Sequence, residues 1–136
     1  MKNVLFFIFL SILISCKPEI NQENRIKEDV TFLASDALEG RQTGTEGEKK
    51  AGKYISNRFK ELSLQPKGTQ NYLQPFSFRP KTNPHDEVKF DVNGDGTITG
   101  NNVVGFLDNK AENTIIIGAH YDHLGFGGEG SFTEIL

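Results

Sequence analysis

Cysteine occurs once in this chain, at Cys16. A single thiol has no intramolecular partner, so a disulfide-stapled scaffold is excluded. A strong charge bias is missing too: 15 Lys and Arg stand against 18 Asp and Glu, a net charge of −3. With no basic excess and no Lys/Arg run, nothing points to nucleic acid, and no acidic tail acts as a solvating segment. No internal repeat or low-complexity tract interrupts the chain. Long apolar runs are absent as well. The longest, Val4–Ile14, has 11 residues and is broken only by Ser11, whereas a membrane-spanning helix needs about 20. What is present is the composition of an ordinary soluble protein, 36% hydrophobic and 24% charged, with 11 Phe in 136 residues to build a core. That length implies one small domain.

The N-terminus reads as an export signal. Met1-Lys2-Asn3 gives a positive start, the Val4–Ile14 run forms the apolar centre, and Leu13-Ile14-Ser15-Cys16 closes it. Aliphatic, aliphatic, small, Cys resembles a bacterial lipobox, in which the cysteine is acylated and becomes the mature N-terminus. The alternative is an ordinary secretory signal followed by a free thiol at Cys16. Acylation is the more economical reading, because a lone thiol has no disulfide to form in an oxidising compartment. Residues 1–15 are then a lipoprotein signal peptide, and 16–24 a polar tether. Residues 25–136 form the domain. The expected location is the bacterial cell envelope, anchored to the membrane through lipidated Cys16; the leaflet and the oligomeric state stay open.

Along the mature chain, a first helix is expected from about Asn24 to Ala34, with Ile26, Val30, Leu33 and Ala34 on one apolar stripe. Gly40, Gly44 and Gly47 mark a turn-rich stretch. Thr45 and Glu48 fit a capping box, in which each side chain satisfies a free N–H at a helix start. The second helix should run to about Ser63, with Ala51, Tyr54, Ile55, Phe59 and Leu62 inward and Lys49, Lys50, Lys53, Lys60 and Glu61 solvated. Pro66 and Gly68 are its expected terminators. From Tyr72 the period changes to two, with Tyr72, Gln74, Phe76 and Phe78 on one strand face and Pro75 demoting that strand toward an edge. Further strands are expected at Val88–Val92 and Asn102–Leu107, with His85 in a Pro-flanked loop before them.

Asp91–Asn102 follows a calcium-loop template, with oxygen side chains at positions 1, 3, 5 and 9, Gly at 6 and Ile at 8. Position 12 is Asn102, where the template requires a bidentate Glu, and the flanks are strand-like where helices are needed. Asn-Gly followed by Asp-Gly between strands is a hairpin signal that needs no metal. The hairpin is the favoured reading, with calcium binding as its alternative.

The chemistry concentrates in Thr114-Ile-Ile-Ile-Gly-Ala-His120-Tyr-Asp122-His123. Three Ile followed by Gly118 and Ala119 predict a fully buried strand, ending abruptly in polar residues. Open α/β sheets collect their ligand chemistry at the carboxyl ends of strands. An imidazole at His120 with a carboxylate at Asp122 suits a metal ligand and its orienting partner.

Three blocks extend this reading: Leu33-Ala-Ser-Asp-Ala-Leu-Glu-Gly-Arg41 with Gly44-Thr-Glu-Gly47; Asn102-Val-Val-Gly105; and Ile117-Gly-Ala-His-Tyr-Asp-His-Leu-Gly125. In order and spacing they resemble the opening of the catalytic domain of the co-catalytic di-zinc aminopeptidases, metallopeptidase family twenty-eight, in particular its bacterial lipoprotein members. The resemblance implies an α/β fold: N-terminal helices, then the first strands of the mixed or parallel sheet of a zinc-exopeptidase (phosphorylase/hydrolase-like) domain. It implies two zinc ions, a peptide substrate shortened from its N-terminus, His120 as the first zinc ligand, and Asp122 holding the second imidazole nitrogen. His123 is then solvent-facing or an outer-sphere neighbour. In such relatives a bridging Asp, a Glu pair, a further acidic ligand and a second His follow. After His123 this sequence has only Glu129 and Glu134 as acids and no Asp or His, while a catalytic zinc needs three protein ligands. The expectation is therefore an N-terminal fragment, truncated within the domain and inactive alone as a peptidase. An amidohydrolase or cyclase with the same metal site is a neighbouring possibility. The alternative of another class is a non-catalytic, lipid-anchored surface protein using residues 91–102 to bind calcium.

Overall fold

The computed structural model describes residues 21–79 and 98–127. The chain divides into two compact units, Met1–Phe32 and Leu33–Leu136. Helix α1 spans Gln22–Leu33. It starts earlier than the apolar stripe suggested because Asn21 caps it: its Oδ1 accepts the N–H groups of Glu23 at 3.1 Å and Asn24 at 3.3 Å. The apolar stripe is not a core face. Ile26 and Val30 are exposed, and no residue of this helix is buried. Helical spacing aligns apolar side chains on a face, but burial requires something against that face.

The second unit begins with a 3₁₀ helix, Asp36–Arg41, followed by helix α2, Glu46–Glu61. Thr45 caps α2 in extended conformation and accepts the Glu48 N–H at 3.4 Å. Only half of the predicted capping box forms, because the Glu48 side chain turns inward instead. The inward face of α2 is otherwise as expected: Ala51 is buried and Tyr54, Ile55 and Phe59 are half-buried, while all four lysines and Glu61 are exposed. Leu62 is the exception and stays largely exposed. Termination comes before Pro66. Ser63 adopts φ +58°, its N–H donates to Lys60 O at 2.9 Å, and the Leu64 N–H donates to Phe59 O at 2.9 Å. These two bonds cap the last carbonyls in a Schellman pattern.

Among the described residues four short strands follow: β1 Gln65–Pro66, β2 Leu73–Phe78, β3 Ile98–Val103 and β4 Gly105–Phe106. β1 pairs with β4 and β2 with β3, both antiparallel, with Leu73 opposite Val103 and Phe78 opposite Ile98. The architecture is thus a small mixed α/β unit with antiparallel strands. The expected parallel sheet does not occur among the described residues, where the only parallel contact is an isolated bridge between Gln42 and His123. Val88–Val92, His85 and most of the predicted 91–102 loop lie outside the described residues. The end of that loop, from Ile98 onward, belongs to β3 and extends into the strand expected at Asn102–Leu107.

The core is small. Leu38 and Ala51 are its fully buried apolar residues, joined by the charged Glu48. Phe59 meets Tyr72 edge-on with ring centroids 6.2 Å apart, and Phe76 stacks on Phe78 at 6.1 Å. Gly47 lets the 3₁₀ segment lie directly on α2, since a Cβ there would stand 1.9 Å from the Leu38 carbonyl oxygen. Among the described residues no helix is long and apolar enough to cross a membrane.

Thr114–Ala119 overturns a firm expectation. The segment pairs with no strand, and Ile115, Ile116 and Ile117 are 87%, 91% and 92% exposed. β-branched, apolar residues favour an extended pleated chain, but a strand becomes buried only when neighbours occupy its edges and faces. Among the described residues none does.

Candidate functional site

The segment that follows those isoleucines is held in place by the first motif block. Arg41 Nε donates to the Tyr121 carbonyl at 2.7 Å, and its Nη1 donates to the Leu33 carbonyl. Two main-chain bonds continue the seam: His123 N–H to Arg41 O at 2.9 Å and Gly125 N–H to Gly40 O at 3.0 Å. Gly40 sits at φ +64°, and a Cβ on it would stand 2.2 Å from the Gly125 oxygen. The glycine thus serves both the left-handed backbone and the close approach. The sequence stretch from Leu33 to Gly47 is the cradle of the stretch from Tyr121 to Gly125.

Beside that cradle His120 and Asp122 lie next to one another. His120 Nδ1 is 3.0 Å from the Asp122 main-chain oxygen and 3.5 Å from carboxylate Oδ1. The nearer partner is therefore the main chain, with the carboxylate behind it. Both neighbours are acceptors, so a neutral imidazole bonded in this way carries its proton on Nδ1, and Nε2 has no hydrogen-bond partner among the described residues. The His120 side chain is 82% exposed. Asp122 is held in turn by Thr43, whose hydroxyl donates to Oδ2 at 2.8 Å. His123 is exposed and joins the seam only through its backbone.

Beneath the pair lies a polar cluster that composition and spacing did not single out. Glu48 is 1% exposed. Its Oε1 accepts the Asn101 N–H at 3.1 Å and the Tyr121 hydroxyl at 2.5 Å. The same hydroxyl lies 2.6 Å from the Asn101 carbonyl, so one proton serves two acceptors. Burial, then the Glu48 bond and the charges of Glu48 and Asp122, push the Tyr121 hydroxyl well above the usual phenol range. Among the described residues Glu48 Oε2 is buried without a partner, an arrangement that costs about 1–3 kcal/mol. Glu48 at a helix N-terminus was legible as a cap; its tertiary partner, Tyr121, is far along the chain and carried no local signal.

A cavity of about 700 Å³ adjoins this cluster, lined among others by Arg41, Thr43, Glu48, Phe76, His120 and Asp122. Its size falls in the range of small-ligand sites. As a metal centre it is incomplete: the described residues contain no group of three or more His, Cys, Asp or Glu able to hold an ion. The His120 imidazole fits one coordination position and the described residues supply no full set. Cys16 and Glu129 lie outside the described residues. Of the calcium-loop template, position 9 is Thr99, whose hydroxyl pairs with Ser77 at 3.3 Å, and position 12 is Asn102, whose amide donates to Gln74 at 3.4 Å. Both side chains are cross-strand partners of β2.

No protein-family model, curated protein or solved structure matches the chain.

Proposed function

We propose that this chain is the N-terminal part of a zinc-dependent, aminopeptidase-type metallopeptidase domain acting on the N-termini of peptides, exported and anchored to the cell-envelope membrane through lipidated Cys16. His120 is the zinc ligand and Asp122 its orienting residue. The observation that carries the reading is the orientation of His120. Nδ1 lies 3.0 Å from the Asp122 oxygen, Nε2 has no hydrogen-bond partner among the described residues, and the side chain is 82% exposed. An imidazole fixed through one nitrogen and free at the other is the arrangement in which histidines bind metals. Bound zinc supplies Lewis acidity toward a peptide carbonyl and a metal-bound water of lowered pKa. Arg41 fixes the backbone at Tyr121, Thr43 holds the Asp122 carboxylate, and Asp122 holds the imidazole. The remaining ligands and the general base belong to other parts of the domain. The uncovered faces of Ile115–Ile117 agree with a sheet that is completed there.

The test has two parts. Zinc titration of the purified chain, followed on the His120 ring by NMR, should shift that ring, and His120→Ala should remove the weak binding. The 136-residue chain should hydrolyse aminoacyl-anilides at no more than the rate of the His120→Ala variant, with or without zinc. Coding sequence beyond codon 136 should supply an Asp, a Glu pair and a distal His; an open frame lacking them would refute the peptidase assignment. For the anchor, metabolic lipid labelling should be lost in Cys16→Ser.

A further inference from the structure

The chain reaches His120 after a long stretch with little to hold it among the described residues. Asp108–Ala119 is exposed throughout, and among the described residues its one internal tie is the Lys110 N–H to the Asp108 carboxylate at 2.9 Å. Tyr121 is the first residue at which the returning chain is bolted to the body of the unit. The bolt has two ends: its carbonyl on Arg41 and its hydroxyl on Glu48 and the Asn101 carbonyl. The Tyr121 ring seats beside Gly52, where a Cβ would come within 3.1 Å of the hydroxyl. Glu48 could have closed the capping box at Thr45, at the surface. Instead it is buried with one oxygen unpartnered, a cost that a residue serving only as a helix cap would not carry.

We infer that Glu48 is a positioning residue for the His120–Asp122 pair, acting through the Tyr121 hydroxyl. Its Oε1 joins helix α2, strand β3 and the Tyr121 segment at one atom, and so fixes where His120 stands and in which tautomer. The purpose of that positioning rests on the proposed zinc reading; the positioning itself does not.

The experiment uses the full chain and reads the His120 ring by long-range proton–nitrogen NMR. In the wild type the ring holds its proton at Nδ1. Tyr121→Phe removes only the hydroxyl and should move the ring to a mixture of tautomers, with the helical circular dichroism unchanged. Glu48→Ala should do the same, and Glu48→Gln, which keeps an acceptor oxygen for both donors, should restore the wild-type signature. Should Glu48→Ala fail to fold, Tyr121→Phe decides alone. A folded Tyr121→Phe chain with the wild-type His120 signature would overturn the inference. Zinc separates the two ideas: a wild-type ring that is ordered at Nδ1, released by Tyr121→Phe, yet indifferent to zinc removes the metal reading and supports the positioning.

Discussion

Replacing Gly40 with alanine probes the seam that joins the two halves of the site. The new Cβ would lie 2.2 Å from the Gly125 oxygen and 2.5 Å from its carbonyl carbon, both backbone atoms that no rotamer change relieves. Gly125 must retreat by about an ångström to reach even the tightest contacts that real Cβ atoms make. That retreat breaks the 3.0 Å bond from Gly125 N–H to Gly40 O and strains the 2.9 Å bond from His123 N–H to Arg41 O. Each main-chain bond contributes about 0.5–1.5 kcal/mol. The left-handed backbone at φ +64° adds about 1–2 kcal/mol for a residue with a Cβ, and the stiffer unfolded chain returns about 0.4–1 kcal/mol. The net expectation is a loss of about 2–3 kcal/mol, a large share of the roughly 5–15 kcal/mol that holds a typical domain together. Urea unfolding should show a lower midpoint at unchanged slope, and backbone amide shifts should change from Tyr121 to Gly125 while those of α2 beyond its first turn stay put. Gly118→Ala is the control: nothing lies within 4 Å of its Cβ, so its effect should stay within about 0.5 kcal/mol. If Gly40→Ala costs no more than that control, the seam does not hold the site.

Further outcomes follow from the same contacts. Because the folded state raises the Tyr121 pKa, folding keeps a proton that the unfolded chain releases near pH 10. The stabilisation is therefore full below about pH 10, the ordinary Tyr value, and declines as pH rises above it. Unfolding midpoints should fall more steeply above pH 10 in the wild type than in Tyr121→Phe, and parallel curves would contradict the assignment. Thr43→Val removes the 2.8 Å bond to Asp122 and should cost about 1 kcal/mol by chemical denaturation, with a shift at the Asp122 amide. Ser63→Gly relieves a side chain at φ +58° and should raise stability by about 0.5–1 kcal/mol; a lower urea midpoint would dispute the Schellman ending of α2. Ile116→Lys places a charge on a side chain 91% exposed; if the chain self-associates through this apolar segment, sedimentation should show less association in the variant. Equal association of both chains would exclude this segment as the contact.

Local features were legible where the chemistry that fixes them is local. Thr45 at the start of α2, its 3.6-residue apolar face and its solvated lysines all follow from neighbours within a turn or two. What failed was burial. Ile115–Ile117 have the residue types of an inner strand but no neighbours among the described residues. Glu48 failed in the opposite direction: a local rule assigned it to Thr45, and partners contributed by β3 and by Tyr121 drew it inside. The mixed or parallel sheet was an implication of the family resemblance, whereas β2 and β3 pair antiparallel in full register.

Arg41 and Glu48 anchor the same residue in chemically different ways, and this sets how freely each neighbourhood can vary. Arg41 grips the carbonyls of Leu33 and Tyr121, and every amino acid brings a carbonyl. Substitutions at those two positions leave its partners intact, so Arg41 is constrained alone. Glu48 grips a hydroxyl on an aromatic ring, and a change at either end strands the other in the interior. Among natural variants of this chain, positions 48 and 121 should therefore change together, while position 41 should hold still as its neighbours drift.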